Sequence, residues 1–339
     1  MSLPESQLET ATVPVDPTAS EAVVGRSPTQ LAIRRFRRDK LSMVSLVVTV
    51  TYLLMASAAP LLVKIGFLDP YSQPPPAEAS KILNVNLGSI PYGNWGGASW
   101  SHPLGVVPGS GTDVMARLWY GITFSLTIAL AASVVAIVLG TVLGIISGFA
   151  GGWVDAVVGR LVDLTLSFPQ TLMLLALSAV GVELCAKLLH GAEADPLPNG
   201  FYEVLVLGLF GWPPICRLIR GQVLSLRERE FIDAARLFGA SRTRMYFKEI
   251  LPNLWAPVLV SFTLTMPAYI SAEAALSFLS VGIRPPTPTL GNVLLDSVSY
   301  SVSDFTYFFY PALLIAIIVV SFNLLGDGLR DALDPKADR

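Results

Sequence analysis

The residue types that most often do acid–base, nucleophilic or metal chemistry are scarce here, with two histidines and two cysteines in 339 residues. His102 and His190 are far apart in sequence and both are expected on the outer side, which argues against a metal site built from them. Cys185 and Cys216 lie in or beside apolar runs, and two such residues make neither a disulfide framework nor a metal site. The sequence has no HExxH, no GxSxG elbow and no phosphate-binding glycine loop with its lysine. A membrane-embedded hydrolase therefore lacks its parts, and the chain has no means of hydrolysing ATP by itself.

Two acids sit where chemistry would be expensive to leave unexplained. Glu273 falls well inside an apolar segment and Asp163 at the inner end of another, and an ionisable group there must be paired, protonated or facing a cavity. Both are candidates for the wall of a translocation path; a hydrogen bond between helices is the competing reading and the one favoured for each. An ion-coupled carrier would need such acids and usually internal repeats, and no convincing repeat is present. Arg217 and Arg220 follow an apolar run directly, so anchoring in lipid headgroups accounts for them.

The elements that position these residues are membrane spans. The chain is 53% hydrophobic and 14% charged, against about a quarter charged in ordinary soluble domains. Its apolar residues cluster into uncharged runs long enough to cross a hydrocarbon core of roughly 30 Å. Six spans are predicted, at about 42–66, 119–149, 161–182, 202–219, 254–283 and 308–326. With both termini cytoplasmic, 18 of the 23 Lys and Arg residues fall inside, leaving Lys64, Lys81, Arg117, Lys187 and Arg284; retention of positive charge in the cytoplasm thus supports both the span count and the orientation. A net charge of −2 argues for neither nucleic acid nor a strongly acidic partner.

Residues 1–33 read as a disordered cytoplasmic tail. They are not a cleavable signal, because the basic cluster Arg34, Arg35, Arg37, Arg38 and Lys40 leads into a full-length span, 34–66. Residues 67–117, rich in Pro, Gly and aromatics, form an extracytoplasmic region that either folds over the outer mouth or serves as a passive connector. A five-helix core, 118–327, and a cytoplasmic tail, 328–339, complete the chain, with Leu325 to Gly328 expected to end the last helix. In the second span Ala132, Ala136, Gly140, Gly144 and Gly148 recur every four residues, leaving a helix face nearly bare for a close neighbour. Pro257 and Pro267 suggest kinks in the fifth span.

The cytoplasmic loop 217–253 resolves into two short helices with a break at Gly239. The first is predicted from about Leu226 to Phe238, with Glu228, Glu230 and Asp233 toward its N-terminal end and a glycine just past its last turn. Ser241 suits the N-cap of the second, which climbs to Pro252. Phe231, Ala235 and Phe238 share one face by spacing, and Ala234 keeps the adjoining surface flat. Such an element could lie among headgroups or insert into a cleft on a cytoplasmic protein, and periodicity does not choose between them.

The stretch DAARLFGASRTRMYFKEILPN resembles the coupling loop of ABC importer permeases, with Asp233, Ala234, Ala235, Gly239, Leu251 and Pro252 in the motif positions. Asp233 stands where the family more often has Glu. Further matches, SFPQTLMLLAL at Ser167–Leu177, EAALSFLSVGIRPPTPTLGN at Glu273–Asn292 and FNLLGDGLRDALDP at Phe322–Pro335, resemble the C-type permeases of dipeptide, oligopeptide and nickel importers. The sequence departs from them in HPLGVVPGSGTDVMAR, where only His102–Gly105, Asp113 and Arg117 remain recognisable. The resemblance implies an all-α type I importer permease fold of six transmembrane helices in the cell membrane. It also implies a non-catalytic role in which Glu230, Phe231, Asp233, Ala234, Ala235, Phe238 and Gly239 dock a separate ATPase. The partners it implies are a homologous second permease, two ATPase subunits that bind the ATP and Mg, and an extracytoplasmic substrate-binding protein; this chain would carry no cofactor of its own. Peptides, nickel complexes, haem and other small solutes are all compatible cargo.

Overall fold

A computed structural model describes residues 28–192 and 195–333. The chain runs through α1 (Pro28–Arg38), α2 (Lys40–Lys64), α3 (Pro76–Ile82), strands β1 (Leu83–Asn84) and β2 (Ile90–Pro91), α4 (Val114–Ala150), α5 (Gly152–Leu166), α6 (Gln170–Leu189) and α7 (Pro196–Leu226). It continues through α8 (Glu230–Leu237), α9 (Arg242–Arg244), α10 (Trp255–Phe278), α11 (Leu290–Val298) and α12 (Phe305–Leu333). Among the described residues, six helices are long and apolar enough to cross a bilayer: α2, α4, α6, α7, α10 and α12.

Several boundaries differ from the sequence expectation, each for a local reason. Helix α1 already starts at Pro28, inside the stretch read as a tail; residues 1–27, the rest of that tail, lie outside the described residues. Asp39, in an extended conformation, separates α1 from α2 and accepts bonds from the backbone N–H groups of Leu41 and Ser42, so it caps a new helix. The third span begins at Gln170 rather than 161, because Pro169 cannot donate to a helical ladder and the chain restarts there. Residues 152–166 form a separate helix, α5. Helix α7 continues to Leu226, beyond the expected 219, and takes in Arg217 and Arg220. Helix α12 does not end at Leu325–Gly328 but runs to Leu333, because both glycines lie buried where a neighbour needs room: a Cβ on Gly326 would meet Leu264 and Thr263, and one on Gly328 would overlap Ser42. Residues 334–339 of the expected tail lie outside the described residues. Pro257 falls in the first turn of α10, where its missing N–H has no helical partner to lose, whereas Pro267 is inside the helix.

At 37 residues α4 is the longest span, about 55 Å at 1.5 Å per residue, so it projects well past the hydrocarbon layer. Its small-residue face packs against α7. A Cβ on Gly140 would stand 2.7 Å from Ile215, one on Gly144 2.9 Å from the Cys216 carbonyl and from Ile219, and one on Gly148 2.9 Å from Val223. Ala132 and Ala136 are fully buried on the same face. Backbone approach of this kind substitutes for large side chains as the source of dispersion energy between helices in lipid.

One end of the bundle is capped by residues 65–113, where the regular elements are α3, a short antiparallel strand pair (Leu83 opposite Pro91, Asn84 opposite Ile90) and a 3₁₀ turn over Val85–Leu87 between the two strands. Gly105 has a positive φ and its missing Cβ leaves room for the Gly96 carbonyl. Val106 donates from its backbone N–H to that same carbonyl. Asp113 then starts α4, accepting from the N–H groups of Met115 and Ala116 at 2.7 and 3.3 Å, and faces His102 Nδ1 at 3.3 Å. The recognisable residues of the HPLG segment thus meet at the head of α4.

Candidate functional site

At the opposite end of the bundle, α8 follows the end of α7 after a three-residue link. Arg229 enters it extended, and Glu230 and Asp233 occupy the first turn, where the unpaired N–H groups favour negative charge. It closes on a Schellman motif: the Ala240 N–H bonds back to the Ala235 carbonyl and the Gly239 N–H to that of Arg236. Gly239 holds φ +72°, with nothing near its missing Cβ, so backbone conformation alone demands glycine. Ser241 accepts from the Arg244 N–H at 3.3 Å and caps the next segment. That segment runs as α9, then a π-helical turn over Met245–Ile250 and a 3₁₀ turn over Leu251–Asn253, into α10.

The faces of α8 are not those read from spacing. Ile232 is fully buried, and with half-buried Ala235 it faces the protein. Leu237 and Phe238 are 89% and 91% exposed, and Phe231 is exposed at the border between the two faces. Ala235 therefore does not share the outward face with Phe231 and Phe238; its inward turn follows from Ile232, one helical turn earlier, anchoring the helix. The outward apolar surface is Leu237 and Phe238 beside Ala234, with Glu230 and the Asp233–Arg236 ion pair (3.2 Å) around it. Leu237 was missed in sequence because an apolar residue beside a predicted helix end reads as core.

Arg236 links this element to the bundle. Its guanidinium lies 5.3 Å from the ring centroid of Phe149, on the last turn of α4, and Phe149 meets Tyr246 edge to face at 5.4 Å. Arg227 reaches the Gly148 carbonyl at 3.3 Å. These contacts tie α8 and its lead-in to the end of the longest span.

The two acids singled out in sequence lie far from α8 and from each other. Asp163 is on the exposed side of α5, 2.5 Å from Arg217 Nη2, and not inside a span. One turn of α7 away, Arg220 grips Asp155 through two bonds of 2.6 Å each, and Ser147 also donates to Asp155. The Arg220 guanidinium, together with the Ser147 hydroxyl and against the opposing effect of burial, lowers the Asp155 carboxyl to about 2. Arg217 and Arg220 therefore hold α5 to α7, which corrects their reading as headgroup anchors.

Glu273 is fully buried. It accepts from Ser125 Oγ at 2.7 Å and Ser277 Oγ at 3.0 Å, and Ser125 accepts from the Leu290 N–H at 3.1 Å. These bonds join α4, α10 and the start of α11. A second buried acid escaped the sequence reading: Glu203, in α7, is fully buried with no hydrogen-bond partner. Its Oε1 occupies the space a Cβ on Gly282 would take, 1.8 Å away. The signal available in sequence was an acid in the apolar run FYEVLVLG; its neighbour Gly282 comes from a distant loop.

Between the α5–α6 break, α7 and α10 lies a cavity of about 440 Å³, whose walls include Thr165, Phe168, Gln170, Gly211, Thr265 and Tyr269. The Gln170 side-chain Nε2 is buried without a partner. Neither Asp163 nor Glu273 lines this cavity.

Residues 140–339 match the family described as binding-protein-dependent transport system inner membrane component, and residues 27–80 match the N-terminal TM domain of oligopeptide transport permease C. The dipeptide transport system permease protein DppC of Alkalihalophilus pseudofirmus is 32% identical, over 95% of each chain. The oligopeptide transport system permease protein OppC of Bacillus subtilis is 32% identical, over 90% of this chain and 88% of its own. The glutathione transport system permease protein GsiD of Salmonella typhimurium is 35% identical, over 92% and 91%. Among solved structures, an inward-facing MetNI methionine ABC transporter chain superposes with a TM-score of 0.50 at 18% identity, covering 65% of this chain and 97% of that one; this likeness speaks to fold alone. The chain belongs to the binding-protein-dependent transport system inner membrane components, and is the permease component of an ABC importer.

Proposed function

We propose that this chain forms half of a pathway for peptides or related small solutes, and that α8 couples it to a separate ATPase. The cargo class follows the relatives named for dipeptide, oligopeptide and glutathione transport. A homologous second permease supplies the other half, two ATPase subunits bind the ATP and Mg, and an extracytoplasmic binding protein delivers the solute; this chain contributes no catalytic residue. Both termini and α8 face the cytoplasm of the inner membrane, in line with the concentration of Lys and Arg at that end.

The observation that carries the coupling role is the pairing of opposite faces on α8. Leu237 and the C-cap residue Phe238 are exposed at the end of an eight-residue helix whose other face is fixed by Ile232 and by the Arg236–Phe149 contact. An exposed apolar pair on a rigidly held helix suits insertion into a groove of a partner, in the manner of other helix-in-groove contacts. Closure of the ATPases would then move α4, and with it α7, as a body.

The groove beside the α5–α6 break is our candidate for the path. Its mostly apolar wall tolerates varied side chains. Glu273 and Asp163, by their bonding, serve helix contacts in this reading rather than the path. The test is uptake and ATP hydrolysis by the reconstituted complex carrying Phe238→Asp. Loss of transport-linked hydrolysis with normal insertion is expected, and unchanged uptake would overturn the assignment.

A further inference from the structure

We propose that the groove between α1 and the adjoining ends of α2, α10 and α12 binds an anionic phospholipid, whose phosphate is taken by Arg37 and whose acyl chain lies along the apolar walls. The groove has a volume of about 460 Å³ and is walled by Ile33, Phe36, Leu46, Trp255 and Leu333 among others, with Arg37 the one charged residue lining it among the described residues.

The shape of α1 produces this groove. Asp39 interrupts the helix, so α1 leaves the axis of α2 and packs instead on the last turns of α12. Phe36 touches the site of Gly328 on α12. Ala32, Ile33 and Phe36 of α1 line the groove beside Arg37, while Arg34 and Arg38 are exposed elsewhere on the same helix and Lys40 follows at the head of α2. Helices of this kind, apolar on one side and basic on the other, lie at the level of the headgroups. Trp255, half-exposed at the first position of α10, adds an aromatic of the type that settles at that depth.

The chemistry of the walls selects the occupant. Apart from the Arg37 guanidinium they present almost entirely carbon, so a peptide backbone there would leave its N–H and C=O groups unpaired. A hydrocarbon tail needs no partner, and a guanidinium suits a phosphate because its planar fork can give two parallel bonds. Exposed Arg34, Arg38 and Lys40, sequence neighbours of Arg37 on α1 and at the head of α2, add to the charge complement for a lipid bearing net negative charge, which a zwitterionic lipid lacks. Only the choice of leaflet rests on the orientation proposed above; the ligand class does not. Because Trp255 follows directly on the turn that ends the coupling segment, an occupied groove would also brace the start of α10.

The test uses the full chain with its partner subunits, delipidated in steps and examined by native mass spectrometry with phosphatidylglycerol and phosphatidylcholine of matched acyl chains. Phosphatidylglycerol is expected to be the lipid retained longest. Arg37→Gln should lower its retention about fivefold, whereas Arg38→Gln, which removes the same charge outside the groove wall, should have a smaller effect. Ala32→Trp, which fills the groove, should lower retention of both lipids. Equal retention of the two lipids by the unmodified protein would overturn the proposal, as would equal losses in the two arginine variants, which would mark diffuse surface attraction. A photo-crosslinking residue at Leu46 should capture lipid; capture of a protein chain in its place would equally overturn it.

Discussion

The guanidinium of Arg236 on α8 stands over the ring of Phe149 on α4 at 5.3 Å, and Tyr246 packs perpendicular to that ring at 5.4 Å. The contact ties a short surface helix to the longest span. An exposed cation–π contact of this sort is worth about 0.5–1 kcal/mol, too little to unfold the chain but enough to loosen the joint. Arg236→Gln and Phe149→Leu should each reduce cargo-stimulated ATP hydrolysis by a few-fold at unchanged expression. In a double-mutant cycle the two losses should be less than additive, and full additivity would show that the pair is not the joint.

Gly239 sits at φ +72° in open space, so a larger residue meets no clash and suffers only from backbone conformation. Gly239→Val should cost roughly 1–2 kcal/mol locally, release the α8 C-terminus and uncouple hydrolysis from uptake. Gly239→Asn, a residue that tolerates this conformation, should restore most of the coupling. Uptake by the Val variant equal to that of the unmodified complex would contradict this.

The α4–α7 contact should reject side chains at its glycines. Gly144→Ile places a Cβ where Ile219 and the Cys216 carbonyl are 2.9 Å away, and overpacking of this kind costs about 1–3 kcal/mol or more. Thermal unfolding of the purified complex should shift down accordingly. Gly221→Ala, on the same α7 but with nothing within 4 Å of its Cβ, should be neutral or raise stability by about 0.4–1 kcal/mol.

The sequence made the spans legible because twenty or so apolar residues in a row have few other uses, and all six exist. Their ends were harder. The split between α5 and α6 turns on Pro169, and the extension of α7 depends on Asp155 and Asp163 receiving Arg220 and Arg217 from a different helix, a pairing invisible along the chain. The cap at Gly239 and the N-cap at Ser241 are local and were read correctly. The inward turn of Ala235 was not, since in a short helix with apolar residues at 231, 232, 235, 237 and 238 periodicity admits more than one buried face. Glu203 went unread because what surrounds it comes from Gly282, in a loop beyond the next span.

The Asp155–Arg220 pair sets a pH dependence with a definite sign. The Asp155 carboxyl is lowered from 3.8 to about 2, so its contribution to stability is fully present above the unfolded value and is lost as the pH falls through the folded one. Holding α5 to α7 should therefore be independent of pH above about 5. The stability difference between the unmodified chain and Asp155→Asn should be constant there and shrink below about pH 4. A difference that already declines near neutrality would assign the effect to another group.

The central claim is that Leu237 and Phe238 on α8 are seated in an ATPase subunit. Cysteine placed at position 238 in the reconstituted complex, probed with a short bifunctional crosslinker and then by mass spectrometry, tests it most directly. A crosslink to the ATPase subunit is predicted, with yield that changes when ATP is bound. A position 238 that is labelled by lipid-soluble reagents and never by the ATPase would show that α8 lies on the membrane, and would contradict the account.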